Sequence, residues 1–84
     1  MIPYAFTKHA EVEFLKLPRD IQHRILRKIE QYLRSLDPLR TAQRITGASR
    51  PCFRYRIGDY RVIFDWEGHG ILITRVGHRR DIYR

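Results

Sequence analysis

The stretch Phe53-Arg54-Tyr55-Arg56-Ile57-Gly58-Asp59-Tyr60-Arg61-Val62-Ile63-Phe64 decides the fold. Its side chains alternate with a period of two on both sides of Gly58-Asp59, the pattern of a tight β-hairpin. A two-residue turn there sets Ile57 opposite Tyr60, Tyr55 opposite Val62 and Phe53 opposite Phe64. These six side chains share one apolar face. The same register sets Arg56 across from Arg61 on the other face, with Arg54 next in line. Like charges directly opposed across a strand pair are destabilising. Such a face is either a set of arginines splayed into water or a surface built to meet a polyanion.

Upstream of the hairpin, Ile2 to Phe6 reads as a short strand. Pro3 cannot donate to a ladder, so the strand belongs at an edge. Thr7 is a helix N-cap with Glu11 in the early turns, and Ala10, Phe14 and Leu17 form an apolar stripe. Pro18 interrupts this helix and opens the next. There Ile21, Ile25, Ile29, Leu33 and Leu36 recur at helical spacing, which predicts a core-facing helix ending at Asp37-Pro38. Residues 39–51 form a connector with turns at Gly47, Ser49 and Pro51. The hairpin strands run over 52–57 and 60–66, Glu67-Gly68-His69-Gly70 turns the chain, and Ile71 to Val76 is the last strand. For that strand two facings are open, Ile71/Ile73/Arg75 or Leu72/Thr74/Val76 inward, because one residue of slip exchanges them. The order β-α-α-β-β-β predicts one α+β domain over residues 1–84, an antiparallel sheet with an N-terminal α-hairpin on one face and arginines on the other.

Of the 84 residues, 17 are Lys or Arg and 9 are Asp or Glu. Fourteen of the 17 are arginine, whose planar fork matches phosphate oxygens in two-point contacts. Residues 1–38 carry 7 basic and 5 acidic side chains, whereas residues 39–84 carry 10 and 4. The excess charge therefore travels with the hairpin and the tail, which points to nucleic acid as partner. The basic residues do not line one amphipathic helix, which argues against a membrane surface. The single cysteine, Cys52, reads as a small packed residue. No apolar run is long enough to span a bilayer, and the N-terminus has no apolar signal core, so the cytoplasm is expected. The four histidines lack metal-ligand spacing, and neither metal nor cofactor is expected.

With these elements in place, the chain resembles the RelE-type toxins of the RelE/ParE superfamily of bacterial and archaeal toxin–antitoxin systems. The resemblance rests on Arg54-Tyr55-Arg56-Ile57-Gly58-Asp59-Tyr60-Arg61-Val62-Ile63-Phe64 and on the ending Val76-Gly77-His78-Arg79-Arg80-Asp81-Ile82-Tyr83. The Leu17-Pro18 junction and Ile45-Thr46-Gly47 fit the same pattern, and the likeness covers essentially the whole chain. It implies a ribosome-dependent mRNA endoribonuclease that works in the ribosomal A site without a metal. The 2′-hydroxyl before the scissile bond attacks the phosphorus, leaving a 2′,3′-cyclic phosphate and a 5′-hydroxyl. It also implies a RelB-like antitoxin with an acidic and apolar segment, and contact with operator DNA only through the antitoxin complex. The ParE branch shares the fold and poisons DNA gyrase. That branch, and a nucleic-acid-binding module without catalysis, are the alternatives.

By the same resemblance Arg54 and Arg56 lie where the family carries RNA-facing basic side chains. Arg61 follows the hairpin turn, Arg79 follows the last long strand, and Tyr83 matches a C-terminal tyrosine that stacks on a base or positions the nucleophile. The reaction needs stabilised negative charge, an aligned nucleophile and proton transfer. Arg61 and Arg79 suit the first need and Tyr83 the second. His78 is the titrating candidate for the third, although strand parity sets it on the opposite face from Arg79 unless Gly77 allows a bulge. Arg54, Arg56, Arg75 and Arg80 are expected to hold flanking phosphates. Some relatives carry lysine where this chain has Arg54 and Arg56, and arginine, always protonated, cannot serve as a base.

Overall fold

The computed structural model describes residues 1–47 and 49–82. Its elements are β1 (Tyr4–Phe6), α1 (Lys8–Leu15), α2 (Arg19–Arg34), β2 (Gln43–Arg44), β3 (Cys52–Ile57), β4 (Tyr60–Trp66), β5 (Ile71–His78) and α3 (Arg79–Ile82). They make a single α+β unit with a five-stranded sheet in the order β1-β5-β4-β3-β2. The hairpin register is the one its alternation dictates: Ile57 pairs with Tyr60, Arg56 with Arg61, Tyr55 with Val62 and Phe53 with Phe64. Gly58 supplies the left-handed residue of the turn, with φ of 60°.

On the apolar face, Tyr55, Ile57, Val62 and Phe64 are buried with Ile25, Ile29 and Leu33 of α2 and Ala10 and Phe14 of α1. Phe53 and Tyr60, at the ends of the hairpin row, are half-buried. The Tyr55 ring stacks obliquely on Tyr32 and Phe64, and its hydroxyl donates to the Pro38 carbonyl at 2.7 Å. Burial, reinforced by Tyr32 and Asp37, pushes that phenol up to about 12, so it remains a donor at any physiological pH. Thr7 caps α1, its hydroxyl accepting from the Ala10 amide at 3.1 Å.

Four features differ from the sequence expectation, all but the end of α2 for a non-local reason. The sheet is mixed rather than wholly antiparallel, because β1 pairs in parallel with β5, Tyr4 to Phe6 lying beside Ile71 to Ile73. The α-hairpin acts as the crossover that carries the chain from that edge over the sheet. Next, α2 ends at Arg34 and not at Asp37-Pro38. Ser35 turns extended and its hydroxyl donates to the Tyr32 carbonyl, so Leu36 falls outside the apolar stripe and is fully exposed. The connector contains a short strand, β2, that pairs with Phe53 and Arg54.

Finally, neither single facing holds for β5. Phe64 pairs with Ile73 while Ile63 pairs with Arg75, so Thr74 is an extra residue that bulges out of the ladder. Ile71 and Ile73 point inward before the bulge and Val76 after it, and all three are buried. One inserted residue thus combines half of each facing, and extends the strand to His78.

Candidate phosphate-binding site

The face of the sheet opposite the α-hairpin carries the arginines. Arg56 and Arg61 sit side by side across β3 and β4, and Gly77 of β5 continues the row. Beyond Gly77 the chain folds back over this row. A Cβ placed there would meet Ile82 at 3.8 Å, and Ile82 is buried outside the main core. This contact seats α3 across the outer face and brings Arg79 and Arg80 to Arg54, Arg56 and Arg61. The five guanidinium groups line one cavity of about 420 Å3.

Arg61 stands apart from the other four. It is only 7% exposed, and it donates from Nη1 to the carbonyls of Gly58 and Tyr60, both at 2.9 Å. Among the described residues it has no carboxylate partner. A buried cation without a counter-charge is costly, and its remaining N–H groups are left for the cavity. The carbonyls of the tight turn fix the guanidinium before any ligand arrives. The other arginines are held more loosely. Arg54 donates from Nε to the Gln43 side chain on β2 at 2.7 Å. Arg79 donates its backbone N–H to the Asp59 carbonyl at 2.8 Å, with its Nε 3.7 Å from the Asp59 carboxylate. Arg56 and Arg80 are exposed.

Of the eight candidate residues, the fold thus brings together Arg54, Arg56, Arg61, Arg79 and Arg80. Arg75 goes elsewhere. By register it shares the outer face with Ile63, but β1 covers only Ile71 to Ile73, so the edge of β5 beyond is open. Glu13 of α1 closes it, accepting the Val76 amide at 3.0 Å and two-point bonds from Arg75 at 3.0 to 3.2 Å. Burial alone would raise the Glu13 carboxyl. The Arg75 guanidinium, the Val76 amide and His9 outweigh it and hold the group below the usual carboxylate range.

His78 pairs with Tyr60 on the helix side, its ring edge-on to the tyrosine at 5.4 Å, and its Nδ1 accepts the Arg80 amide at 3.1 Å. The bulge at Thr74 shifts the facing of the residues after it, so His78 falls on the helix side with Val76, on the face opposite the arginine cavity. His78 instead borders a larger depression of about 550 Å3 with Glu13, Lys16, Tyr60, Arg80 and Asp81. That lining mixes both signs of charge, whereas the arginine cavity concentrates one. Tyr83 lies outside the described residues. Burial and the nearby Asp65 push the Cys52 thiol up, which disfavours the thiolate. Among the described residues no three His, Cys, Asp or Glu side chains converge as a metal-ligand set, and no helix is long and apolar enough to cross a membrane. What sequence reasoning missed is Asp59, which meets Arg79, and Gln43, which meets Arg54. Neither spacing signals the contact, since each spans elements joined only by folding.

The five-stranded mixed sheet with its helices is the fold of solved RelE toxin structures. The chain belongs to the RelE/ParE superfamily of toxins: the family model described as ParE toxin of type II toxin-antitoxin system, parDE, matches residues 4–83. A chain of the RelB–RelE antitoxin–toxin complex from Methanococcus jannaschii is similar over 93% of this chain and 93% of its own, at 29% identity and a TM-score of 0.73. A chain of the toxin–antitoxin complex RelBE2 from Mycobacterium tuberculosis is 28% identical, covering 90% of this chain and 95% of its own at a TM-score of 0.78. The isolated RelE toxin of E. coli shares the fold at 20% identity and a TM-score of 0.72, over 95% of this chain and 88% of its own. No curated protein sequence matches the chain.

Proposed function

We propose that this toxin-family chain is a ribosome-dependent mRNA endoribonuclease that inhibits translation in the cytoplasm. The observation that carries the reading is the buried Arg61, without a carboxylate partner among the described residues, in a cavity lined by four further arginines. Five positive charges on a concave surface, one of them fixed in place at Arg61, match the phosphates of a bent single strand and the extra charge of a pentavalent phosphorus. In this reading Arg61 and Arg79 stabilise that charge, while Arg54, Arg56 and Arg80 hold flanking phosphates and align the 2′-hydroxyl with the leaving oxygen. Tyr83 remains assigned to base stacking by the resemblance alone. Guanidinium groups do not accept protons, and His78 lies behind the sheet. The rate acceleration supplied by the described residues is therefore electrostatic and positional, and the proton acceptor comes from beyond the arginine cluster. The partners are A-site mRNA on the ribosome and a RelB-like antitoxin whose acidic and apolar segment neutralises the basic face. Operator DNA is met only through the antitoxin complex.

The test is single-turnover mRNA cleavage on programmed ribosomes. Arg61→Ala and Arg79→Ala should each lower the rate by about 10²–10³-fold, the usual effect of losing one preorganised donor. Full activity in the folded double variant would overturn the reading. The family model matched over residues 4–83 bears the name of the ParE toxin, which favours one alternative, inhibition of DNA gyrase. Loss of supercoiling activity in purified gyrase, with transcripts left intact, would establish that alternative. Intact transcripts and unaffected gyrase would leave a binding module without catalysis.

A further inference from the structure

The Gly58-Asp59 turn has a second role besides reversing the chain. Its Gly58 carbonyl, with that of Tyr60, holds Arg61, and Asp59 holds the start of α3 by accepting the Arg79 amide at 2.8 Å. The Asp59 carboxylate also stands 3.7 Å from Arg79 Nε, where both side chains are well exposed, at 64% and 59%. An exposed pair of this kind adds little to folding. The amide bond and the burial of Ile82 already seat the helix. Arg79 is one of the five arginines that line the cavity, so the carboxylate beside it stands against one of those charges from outside the lining.

We infer that Asp59 is a positioning residue for Arg79, restraining its guanidinium at the rim of the arginine cavity until an incoming phosphate displaces the carboxylate. This rests on the reading of the cavity as a phosphate site and goes beyond it, because it makes phosphate binding at Arg79 an exchange of one anion for another. Part of the attraction between Arg79 and the ligand is spent on breaking the internal pair. The toxin thereby keeps its affinity for free polyanions below what the same cavity would give without this pair.

Asp59→Asn keeps the turn-forming side chain and the backbone carbonyl but removes the charge. The probes are inorganic tripolyphosphate and a short single-stranded RNA, titrated by calorimetry at several salt concentrations, with amide spectra confirming the fold. Asp59→Asn should bind both about two- to fivefold more tightly, the range set by an exposed ion pair. Its RNA salt slope should steepen by up to about 0.7. In the Arg79→Ala background the same substitution should change nothing. Equal affinity and slope in wild type and Asp59→Asn, or an equal gain with and without Arg79, would overturn the inference. Tightened tripolyphosphate binding that depends on Arg79, in a chain that cleaves no mRNA, would uphold it and count against the nuclease reading alone.

Discussion

Arg61 is placed at a cost to the fold that its proposed role would account for. Its guanidinium is buried among arginines, and among the described residues it bonds to two turn carbonyls. Replacing a buried charge that lacks compensation by an apolar side chain of similar volume is often neutral or stabilising. Arg61→Met should therefore leave the unfolding free energy in urea within about 1 kcal/mol of wild type, or raise it. The same variant should lose cleavage or phosphate binding. A large drop in stability would mean that the two carbonyl bonds dominate, and that Arg61 is a structural residue of the turn. Gly58 shows the same dual demand. It adopts φ of 60°, and a Cβ built on it would come within 2.8 Å of Arg24 Nη2, so the Arg24 side chain of α2 lies beside the turn whose carbonyl holds Arg61.

At the scale of elements, the decisive join is the one between α1 and the open edge of β5. β1 is too short to cover β5 beyond Ile73, and Glu13 takes over as acceptor for Val76 and as partner for Arg75. A hydrogen bond to a charged group contributes about 1.5–3 kcal/mol, so Glu13→Gln should destabilise the protein by about 2 kcal/mol near neutral pH. The sign of its pH dependence follows from the depressed carboxyl. The Glu13 contribution is full above the unfolded-state carboxylate range and is lost as pH falls through the lower, folded-state value. Urea denaturation across pH should show the gap between wild type and Glu13→Gln narrowing below about pH 4. A gap that stays constant into acid would mean that the loss does not come from the ionised carboxylate.

For the molecule as a whole, charge is sorted by face as well as by sequence half. Net charge is +8, yet not every arginine is available to a ligand: Arg75 is consumed by Glu13, while Arg54, Arg56, Arg61, Arg79 and Arg80 converge. Binding of a single-stranded oligonucleotide should weaken with salt, each neutralised phosphate contributing about 0.7 to the logarithmic slope. Arg56→Gln should reduce the slope by about that amount, and Arg75→Gln should leave it nearly unchanged. Equal reductions would show that binding follows total charge and not the cavity.

The sequence by itself determined whatever depends on neighbours a few residues apart. Alternation around Gly58-Asp59 specified the hairpin register, including the opposed Arg56 and Arg61. The period of Ile25, Ile29 and Leu33 specified the buried face of α2, and Thr7 its partner helix's start. Strand parity set His78 and Arg79 on opposite faces of one regular strand; in the structure Arg79 opens α3, and the bulge at Thr74 is what turns His78 to the helix side. Only the tertiary structure decided what depends on elements distant in sequence. The parallel pairing of β1 with β5, the bulge at Thr74, the diversion of Arg75 to Glu13 and the folding of α3 over Gly77 are of this kind. Each satisfies an edge, an amide or an apolar side chain that a local pattern leaves open. The physical reason is range: turn geometry and side-chain periodicity act through adjacent backbone, whereas edges, bulges and buried charges are settled by whichever surface the folded chain brings against them.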